Sequence, residues 1–130
     1  MKKVIFSLML VLFGSQVASA ELPFSPYRVA GDTVYLSGQV ALKAERGEKP
    51  TIQKETRIVL DKIKMLLKKE GLDLSNVVKA TVYLEDIKAY SEMNKVYAEY
   101  FSNPYPARVA LAVKELPLGA QIEISVIAHK

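Results

Sequence analysis

One long segment of the chain carries the hydrophobic period of a helix. From Thr51 to Glu70 the apolar residues recur every three or four positions, and most residues between them are charged. Lys68 and Lys69 suit the negative end of a helix dipole, and Gly71 can adopt the left-handed conformation that ends a helix. The pattern predicts an amphipathic helix over residues 51–70. Its apolar positions are Ile52, Val59, Ile63, Leu66 and Leu67.

Other segments have the composition and alternation of strands. The predicted strands are Arg28–Ala30, Thr33–Val40, Val77–Leu84, Arg108–Val113 and Gln121–Ala128. Gly31-Asp32 suits a two-residue hairpin turn between the first two strands. In the third strand, the residues expected on one face are Val78, Ala80, Val82 and Leu84. Residues 41–50 are predicted to form a charged loop.

A second helix is predicted from Asp86, as its N-cap, to Phe101, with Asn103-Pro104 after its end. We interpret its aromatic stripe as core packing; the stripe contains Tyr90, Met93, Tyr97 and Tyr100 with Phe101. The element order is β-β-α-β-α-β-β. A sheet with two helices on one face buries both apolar stripes, so the predicted fold class is α+β. The other face is then expected to be an interface in a symmetric homo-oligomer.

The first 20 residues have the pattern of a secretory signal peptide. Lys2 and Lys3 precede an apolar run from Val4 to Phe13, and Val17-Ala18-Ser19-Ala20 has the small-x-small form of a cleavage site. The apolar run is shorter than the ~20 residues that span a bilayer, so no stable membrane anchor is expected after cleavage. We expect cleavage after Ala20, one domain over residues 21–130, and a periplasmic or secreted location.

Composition excludes several kinds of chemistry. The chain has no Cys, and its one His, His129, is next to the last residue, so neither a Ser-His-Asp nor a Cys-His triad can form. No metal-ligating cluster and no nucleotide-binding glycine motif occur, and no cofactor is expected. The 18 Lys and Arg residues exceed the 14 Asp and Glu residues, but Lys2 and Lys3 belong to the leader and the rest are scattered. This charge distribution argues against a nucleic-acid partner.

Arg108 and Glu123 are the candidate catalytic residues. Arg108 begins one β-like run, Glu123 lies in the next, and a Pro/Gly turn at 116–120 separates them, which could hold the two side chains near each other. The planar guanidinium suits bidentate binding of a small carboxylate or phosphate, and Glu123 could position a water or move a proton. The alternative is that Arg108 is a surface or interface ion-pair partner.

The chain resembles the RidA/YjgF-like family of reactive-intermediate (imine/enamine) deaminases from about Pro23 to Ala128. The residues that carry the resemblance are Val34–Val40 with Ser37-Gly38-Gln39, the helix ending near Gly71, Val77–Asp86, Met93–Phe101, Pro106-Ala107-Arg108, Leu116–Ala120 and Ile122-Glu123-Ile124. The resemblance implies a chorismate-mutase-like α+β fold, assembled as a homotrimer with three clefts between subunits. It also implies hydrolysis of 2-enamino and 2-imino acids, such as 2-aminoacrylate and 2-iminopropionate, to 2-oxo acids and ammonia without a cofactor.

The resemblance further assigns roles to residues. Arg108 would bind the substrate carboxylate, Glu123 would orient the attacking water, and Ser37 and Asn94 would line or support the cleft. Phe24 stands where the family's N-terminal Pro-Tyr-Ser-Gln-Ala motif has Tyr, so it keeps the ring without the phenolic hydroxyl. Val109 and Ala110 replace residues that are commonly polar or Cys.

Two other functions are compatible with the sequence. The chain could form a trimer that binds a small carboxylate or 2-oxo acid without turnover, or a chaperone-like protective protein of the periplasm. For the enzyme, the leader suggests a source of substrate outside the cytoplasm, namely 2-imino acids released by amino-acid oxidation at the outer face of the membrane.

Overall fold

Six strands form one sheet in residues 21–130, the part of the chain that the computed structural model describes. The predicted signal peptide, Met1–Ala20, lies outside the described residues. The strands are β1 (Tyr27–Ala30), β2 (Thr33–Leu36), β3 (Gln39–Val40), β4 (Val77–Leu84), β5 (Ala107–Ala112) and β6 (Ile122–His129). Their order is β1-β2-β6-β4-β5, and β3 also pairs with β6. Neighbours are antiparallel except β4 and β5, which are parallel.

In residues 21–130, three helices accompany the sheet: α1 (Lys43–Arg46), α2 (Ile52–Lys68) and α3 (Tyr90–Tyr100). The 3-10 turns there are Leu74–Asn76, Ile87–Ala89 and Pro117–Gly119. The predicted first helix is confirmed as α2, which begins after Thr51 because the Thr51 hydroxyl accepts a hydrogen bond from the Lys54 N–H at 3.1 Å. Asp86 caps the 3-10 turn that precedes α3, accepting from the Lys88 N–H at 2.9 Å. Among residues 21–130, no helix has the length and apolar character needed to cross a membrane.

The core lies between one face of the sheet and the helices α2 and α3, which confirms the α+β class. Alternate strand residues point into it, and the fully buried ones include Val34, Val82, Leu84, Ile122 and Ile124. The helices contribute Val59, Leu60, Ile63, Leu67 and Met93. Each such Leu or Ile side chain contributes ~2–5 kcal/mol to stability when judged by replacement with Ala. The opposite face carries the intervening residues, among them Tyr83, Glu123 and Ser125, which are only partly buried.

Four local predictions are corrected. Thr33–Val40 is not one strand, because the Ser37 N–H donates to the Pro26 carbonyl and the chain breaks between β2 and β3. The 41–50 loop contains α1, whose start is fixed by the Leu42 N–H donating to the Glu45 carboxylate at 2.6 Å. Val78 is exposed because a β-bulge between Val77 and Lys79 shifts the alternation. Tyr90 is not a core residue, since it is 40% exposed.

The Pro/Gly turn that follows β5 does not join two adjacent strands. The β4–α3–β5 unit is a crossover, and such a crossover places the second strand parallel to the first. The turn after β5 therefore passes over the end of β4, where the Val113 N–H donates to Leu84 and the Glu85 N–H donates to the Gln121 carbonyl. β4 consequently lies between β5 and β6, and β5 is an edge strand.

Candidate functional site

Arg108 lies on the edge strand β5 and faces helix α3. Its register partner on β4 is Ala80, a core residue, so the Arg108 side chain points to the helix-covered face of the sheet. The guanidinium carbon is 4.6 Å from the ring centroid of Tyr97 and 5.6 Å from that of Tyr90. Arg108 Nη2 donates to the Tyr90 hydroxyl at 3.1 Å. Within residues 21–130 no carboxylate oxygen lies within 4.0 Å of the Arg108 nitrogens, so its charge has no intramolecular counterion there.

Helix α3 supplies the surroundings of Arg108 because Tyr90, Asn94 and Tyr97 are spaced by four and three residues and share one helix face. The Asn94 side chain and the Arg108 guanidinium hold the pKa of Tyr90 below its usual value. Burial raises the pKa of Tyr97, and Arg108 opposes that shift. The Tyr97 hydroxyl is buried and has no hydrogen-bond partner in the described part of the chain.

A cleft of about 350 Å³ opens beside these groups. We call it the Arg108 cleft; its lining residues are Asn94, Tyr97, Ala98, Tyr105, Pro106 and Arg108. It therefore offers a cation, a side-chain amide and two phenol rings. Such a set suits a small anion that needs both charge and hydrogen-bond donors.

Glu123 lies in a second cleft, of about 380 Å³, which we call the Glu123 cleft. The lining residues are Phe24, Ser37, Gly38, Val40, Pro117, Leu118 and Glu123. The carboxylate lies against the backbone of Gly38, where an added Cβ would collide with it. Partial burial raises the pKa of the Glu123 carboxyl. A carboxylate with a raised pKa is a better proton acceptor than an exposed one, which suits a group that handles water.

Ser37 holds the N-terminal segment at this cleft. Its hydroxyl donates to the Ser25 carbonyl at 2.6 Å, and its N–H donates to the Pro26 carbonyl at 2.9 Å. These bonds fix the chain next to Phe24, whose ring is 60% exposed at the mouth of the cleft. Ser37 thus supports the cleft, and its hydroxyl hydrogen is already donated to the Ser25 carbonyl.

A buried ion pair fixes the loop that forms the other wall. Arg46 donates to the carbonyls of Leu118, at 2.6 Å, and Gly119, and lies 3.6 Å from the fully buried Glu55. Glu55 accepts from the Gln121 N–H at 2.8 Å and from the Gln121 side chain at 3.0 Å. Both ends of the 118–121 segment are therefore anchored. Within it Leu118 has φ +59°, a left-handed conformation that is uncommon for Leu.

Arg108 and Glu123 do not meet within one chain, which corrects the expectation that the turn brings them together. Ala80, the partner of Arg108, pairs with Val126, whereas Glu123 pairs with Tyr83. Two strand spacings and three residues of offset put their Cα atoms about 14 Å apart. Their side chains also point to opposite faces of the sheet. Asn94 lies with Arg108, while Ser37 and Phe24 lie with Glu123.

Val109 and Ala110, the two residues after Arg108 that differ from the common family pattern, also point to opposite faces of the sheet. Ala110 shares the helix-side face with Arg108 and packs on the core. Val109 points to the other face, where it is 42% exposed together with Leu111 on the same edge strand. An apolar edge strand of this kind is typical of an interface.

Several residues in or beside the two clefts are not among the site residues predicted from the sequence. Tyr90 and Tyr97 belong to a predicted aromatic stripe, and such stripes are usually core packing. Gly38 had a usable signal, since a glycine inside a strand pattern often marks a close backbone approach. Arg46 and Glu55 carried no such sequence signal, because their contacts depend on tertiary packing.

In the described part of the chain, no group of three His, Asp or Glu residues is placed to hold a metal ion.

The fold and the two clefts define a class of protein: a small α+β domain with a cationic cleft and a carboxylate cleft on opposite faces of one sheet. The sequence model of the family described as Endoribonuclease L-PSP matches residues 15–130. The chain belongs to this family, the RidA/YjgF family, which confirms the resemblance.

Named relatives agree with this membership. A RutC family protein of Pyrococcus horikoshii is 41% identical, covering 100% of this chain and 99% of the relative. The 2-iminobutanoate/2-iminopropanoate deaminase of Bos taurus is 40% identical, covering 82% of this chain and 79% of the relative. Among solved structures, RidA from the Antarctic bacterium Psychrobacter sp. PAMC 21119 has a TM-score of 0.78 at 34% identity, covering 86% of this chain and 92% of that one.

Proposed function

We propose that this protein hydrolyses reactive 2-imino and 2-enamino acids to 2-oxo acids and ammonia without a cofactor. The observation that carries the proposal is the Arg108 guanidinium, which faces a cleft and has no carboxylate counterion within residues 21–130. A 2-imino acid offers the missing carboxylate, next to an electrophilic carbon. The deaminase name of the bovine relative points to the same chemistry.

The proposed reaction needs an anchor and a proton route but no protein nucleophile. Arg108 binds the carboxylate in bidentate fashion, and Asn94 and the unpartnered Tyr97 hydroxyl are the nearest further donors. Glu123 accepts a proton from water as the water oxygen bonds to C2 of the protonated imine. The proton passes to the nitrogen. Glu123 then takes the proton of the new C2 hydroxyl as the C–N bond breaks, which leaves the 2-oxo acid, and it passes that proton to the departing ammonia, which leaves as ammonium. Glu123 suits this transfer because burial raises its pKa.

The reacting groups must come from two copies of the chain. A substrate carboxylate and its C2 atom are adjacent, whereas Arg108 and Glu123 of one copy lie on opposite faces of the sheet. The exposed apolar residues of the β5 edge, Val109 and Leu111, fit contact with a second copy. We therefore propose a homotrimer in which Arg108 of one copy completes the Glu123 cleft of its neighbour. The absence of a nucleic-acid partner stays a prediction.

The proposed location is outside the cytoplasm. It rests on the signal-peptide pattern of residues 1–20, which lie outside the described part of the chain. A substrate source there would be amino-acid oxidation at the outer face of the membrane. N-terminal sequencing of the native protein tests this: Glu21 as the first residue is expected, and an intact Met1 in a cytosolic fraction would contradict it.

The test of function is ammonia and 2-oxo-acid release from freshly generated 2-iminopropanoate and bulkier 2-imino acids. Residues 21–130 should accelerate release over the spontaneous rate, and Arg108→Ala should lose the acceleration. Arg108→Lys is the matched variant, because it keeps the charge without the bidentate fork. No acceleration with any imine by the wild type would contradict the proposal.

One observation favours a second candidate, a trimer that binds a small carboxylate or 2-oxo acid without turnover. The Glu123 cleft has few free donors, since Phe24 has no hydroxyl and the Ser37 hydroxyl donates to Ser25. Saturable binding of a 2-oxo acid that requires Arg108, without any effect on imine hydrolysis, would identify this function instead.

A further inference from the structure

The Glu123 cleft has an apolar wall whose position is unusually well fixed. Phe24, Val40, Pro117 and Leu118 make up four of its seven lining residues. The residues Phe24 and Leu118 are 60% and 64% exposed, although both are large and apolar. Large apolar groups exposed at a cleft mouth are typical of a surface that contacts a ligand.

Leu118 is held in this position at an energetic cost. Its φ of +59° is a left-handed conformation that is strained for a non-glycine residue. Arg46 donates to its carbonyl and to that of Gly119, and the buried Glu55 binds Arg46 and Gln121. The strained conformation is therefore imposed by a buried ionic network, and it turns the Leu118 side chain outward into the cleft instead of into the core.

The opposite wall is fixed as well. Ser37 binds Ser25 and Pro26, which directly follow Phe24 in the chain. The cleft between the two walls holds one carboxylate, Glu123, and no cation among its lining residues. An anionic group is therefore disfavoured beside Glu123, and an apolar group can cover Phe24 and Leu118.

We propose that Leu118 and Phe24 form the side-chain subsite of the substrate and select 2-imino acids with bulky apolar side chains, such as the imine of leucine, over the small imine of alanine and over acidic imines. This inference rests on the proposed function. With the substrate carboxylate on Arg108 of a neighbouring copy and C2 beside Glu123, the substrate side chain is the part that remains to contact the apolar wall. An acidic side chain would be repelled there by Glu123.

The decisive experiment compares kcat/KM for the imines of leucine and alanine. Leu118→Gly removes the side chain, and Leu118→Asn makes it polar; both residues accept a left-handed φ, so the loop conformation is kept. Met65→Ala is the control, since Met65 is an equally exposed apolar residue outside the cleft lining. Wild type and Met65→Ala should prefer the leucine imine, and each Leu118 variant should lower that preference about tenfold.

The outcomes separate the subsite from the reaction. A preference ratio that stays unchanged in both Leu118 variants, with imine hydrolysis intact, would overturn the subsite and leave the proposed function standing. A wild type that prefers the alanine imine or an acidic imine would do the same. A wild type that accelerates no imine would overturn both.

Discussion

The two clefts differ in how their functional side chain is held. Arg108 sits on an edge strand, stacked on aromatic rings, and its one side-chain hydrogen bond within the described residues goes to the hydroxyl of Tyr90, an exposed residue. Glu123 sits on β6, between two neighbouring strands, against the bare backbone of Gly38. The loop beside it is anchored by the buried pair Arg46–Glu55. Arg108 is supported by aromatic stacking and one exposed side-chain hydrogen bond, whereas Glu123 is only partly buried and lies beside a loop that a buried ion pair anchors.

This difference fits the two proposed roles, substrate binding by Arg108 and orientation of water by Glu123. A guanidinium that grips a carboxylate tolerates small displacements, because charge attraction falls slowly with distance. A carboxylate that directs water to one carbon atom does not, since a displacement near 1 Å can cost about 10²-fold in rate. The proposed role of Glu123 thus needs the more rigid surroundings, and the buried Arg46–Glu55 network lies beside its cleft.

The largest expected effect compares the loss of stability when a contact beside each cleft is removed. Arg46→Ala leaves Glu55 buried without its counterion and frees two loop carbonyls, so the free energy of unfolding should fall by about 3 kcal/mol. Tyr90→Phe removes only one exposed hydrogen bond and should cost under about 1 kcal/mol. Urea denaturation at one fixed protein concentration measures both. Equal losses in the two variants would contradict the contrast between the clefts.

The next effect tests whether the two clefts belong to different copies. Arg108→Ala and Glu123→Gln should each lower kcat/KM by about 10²–10³-fold. Mixed and reassembled one to one, they should recover about one quarter of the wild-type activity, because a random trimer pairs an intact Arg108 with an intact Glu123 at that frequency. Each variant reassembled alone is the control. A mixture as inactive as its components would place both groups in one chain's site.

A smaller effect tests the close approach at Gly38. Gly38→Ala puts a methyl group where the Glu123 carboxylate lies, so imine hydrolysis should fall about 10²-fold with little loss of 2-oxo-acid binding through Arg108. Glu123→Asp shortens the side chain and should partly rescue Gly38→Ala, although it lowers activity by itself. Additive losses in the double variant would show that the carboxylate does not depend on the space at Gly38.

The sequence predicted the parts of this molecule that depend on local pattern. The period of α2 and the alternation of β6 follow from residue order, and both are confirmed. The chemistry of Arg and Glu predicts the candidate pair Arg108 and Glu123, and each residue lies in a cleft. Their catalytic roles stay predictions.

What local pattern could not supply was strand order. The turn at 116–120 looks like a hairpin turn, but β4 takes the place beside β6, because the crossover through α3 brings β5 parallel to β4. That insertion places the strands of Arg108 and Glu123 two spacings apart instead of side by side. Val78 illustrates the same limit on a smaller scale, since one bulge reverses its face. The pairing of strands that are distant in sequence decides both the separation of Arg108 from Glu123 and the face of Val78. The residues around these positions do not predict that pairing.

The smallest effect concerns the charge of Glu123 itself. Burial raises its pKa, so the folded protein binds this proton more tightly than the unfolded chain does. The stabilising contribution of the protonated carboxyl is present below its unfolded pKa and is lost as the pH rises through the folded one. Glu123→Gln, which stays neutral, should therefore be slightly more stable than wild type at pH 7 and equal to it at strongly acidic pH. Because the carboxyl is mostly solvated, the difference should be at most a few-fold in the unfolding equilibrium constant.

Urea titrations of both proteins across this pH range measure this difference in stability, with Glu115→Gln as a control for removing a surface charge. A Glu123→Gln protein that is less stable than wild type at pH 7 would mean that the carboxylate is bound by donors from another copy.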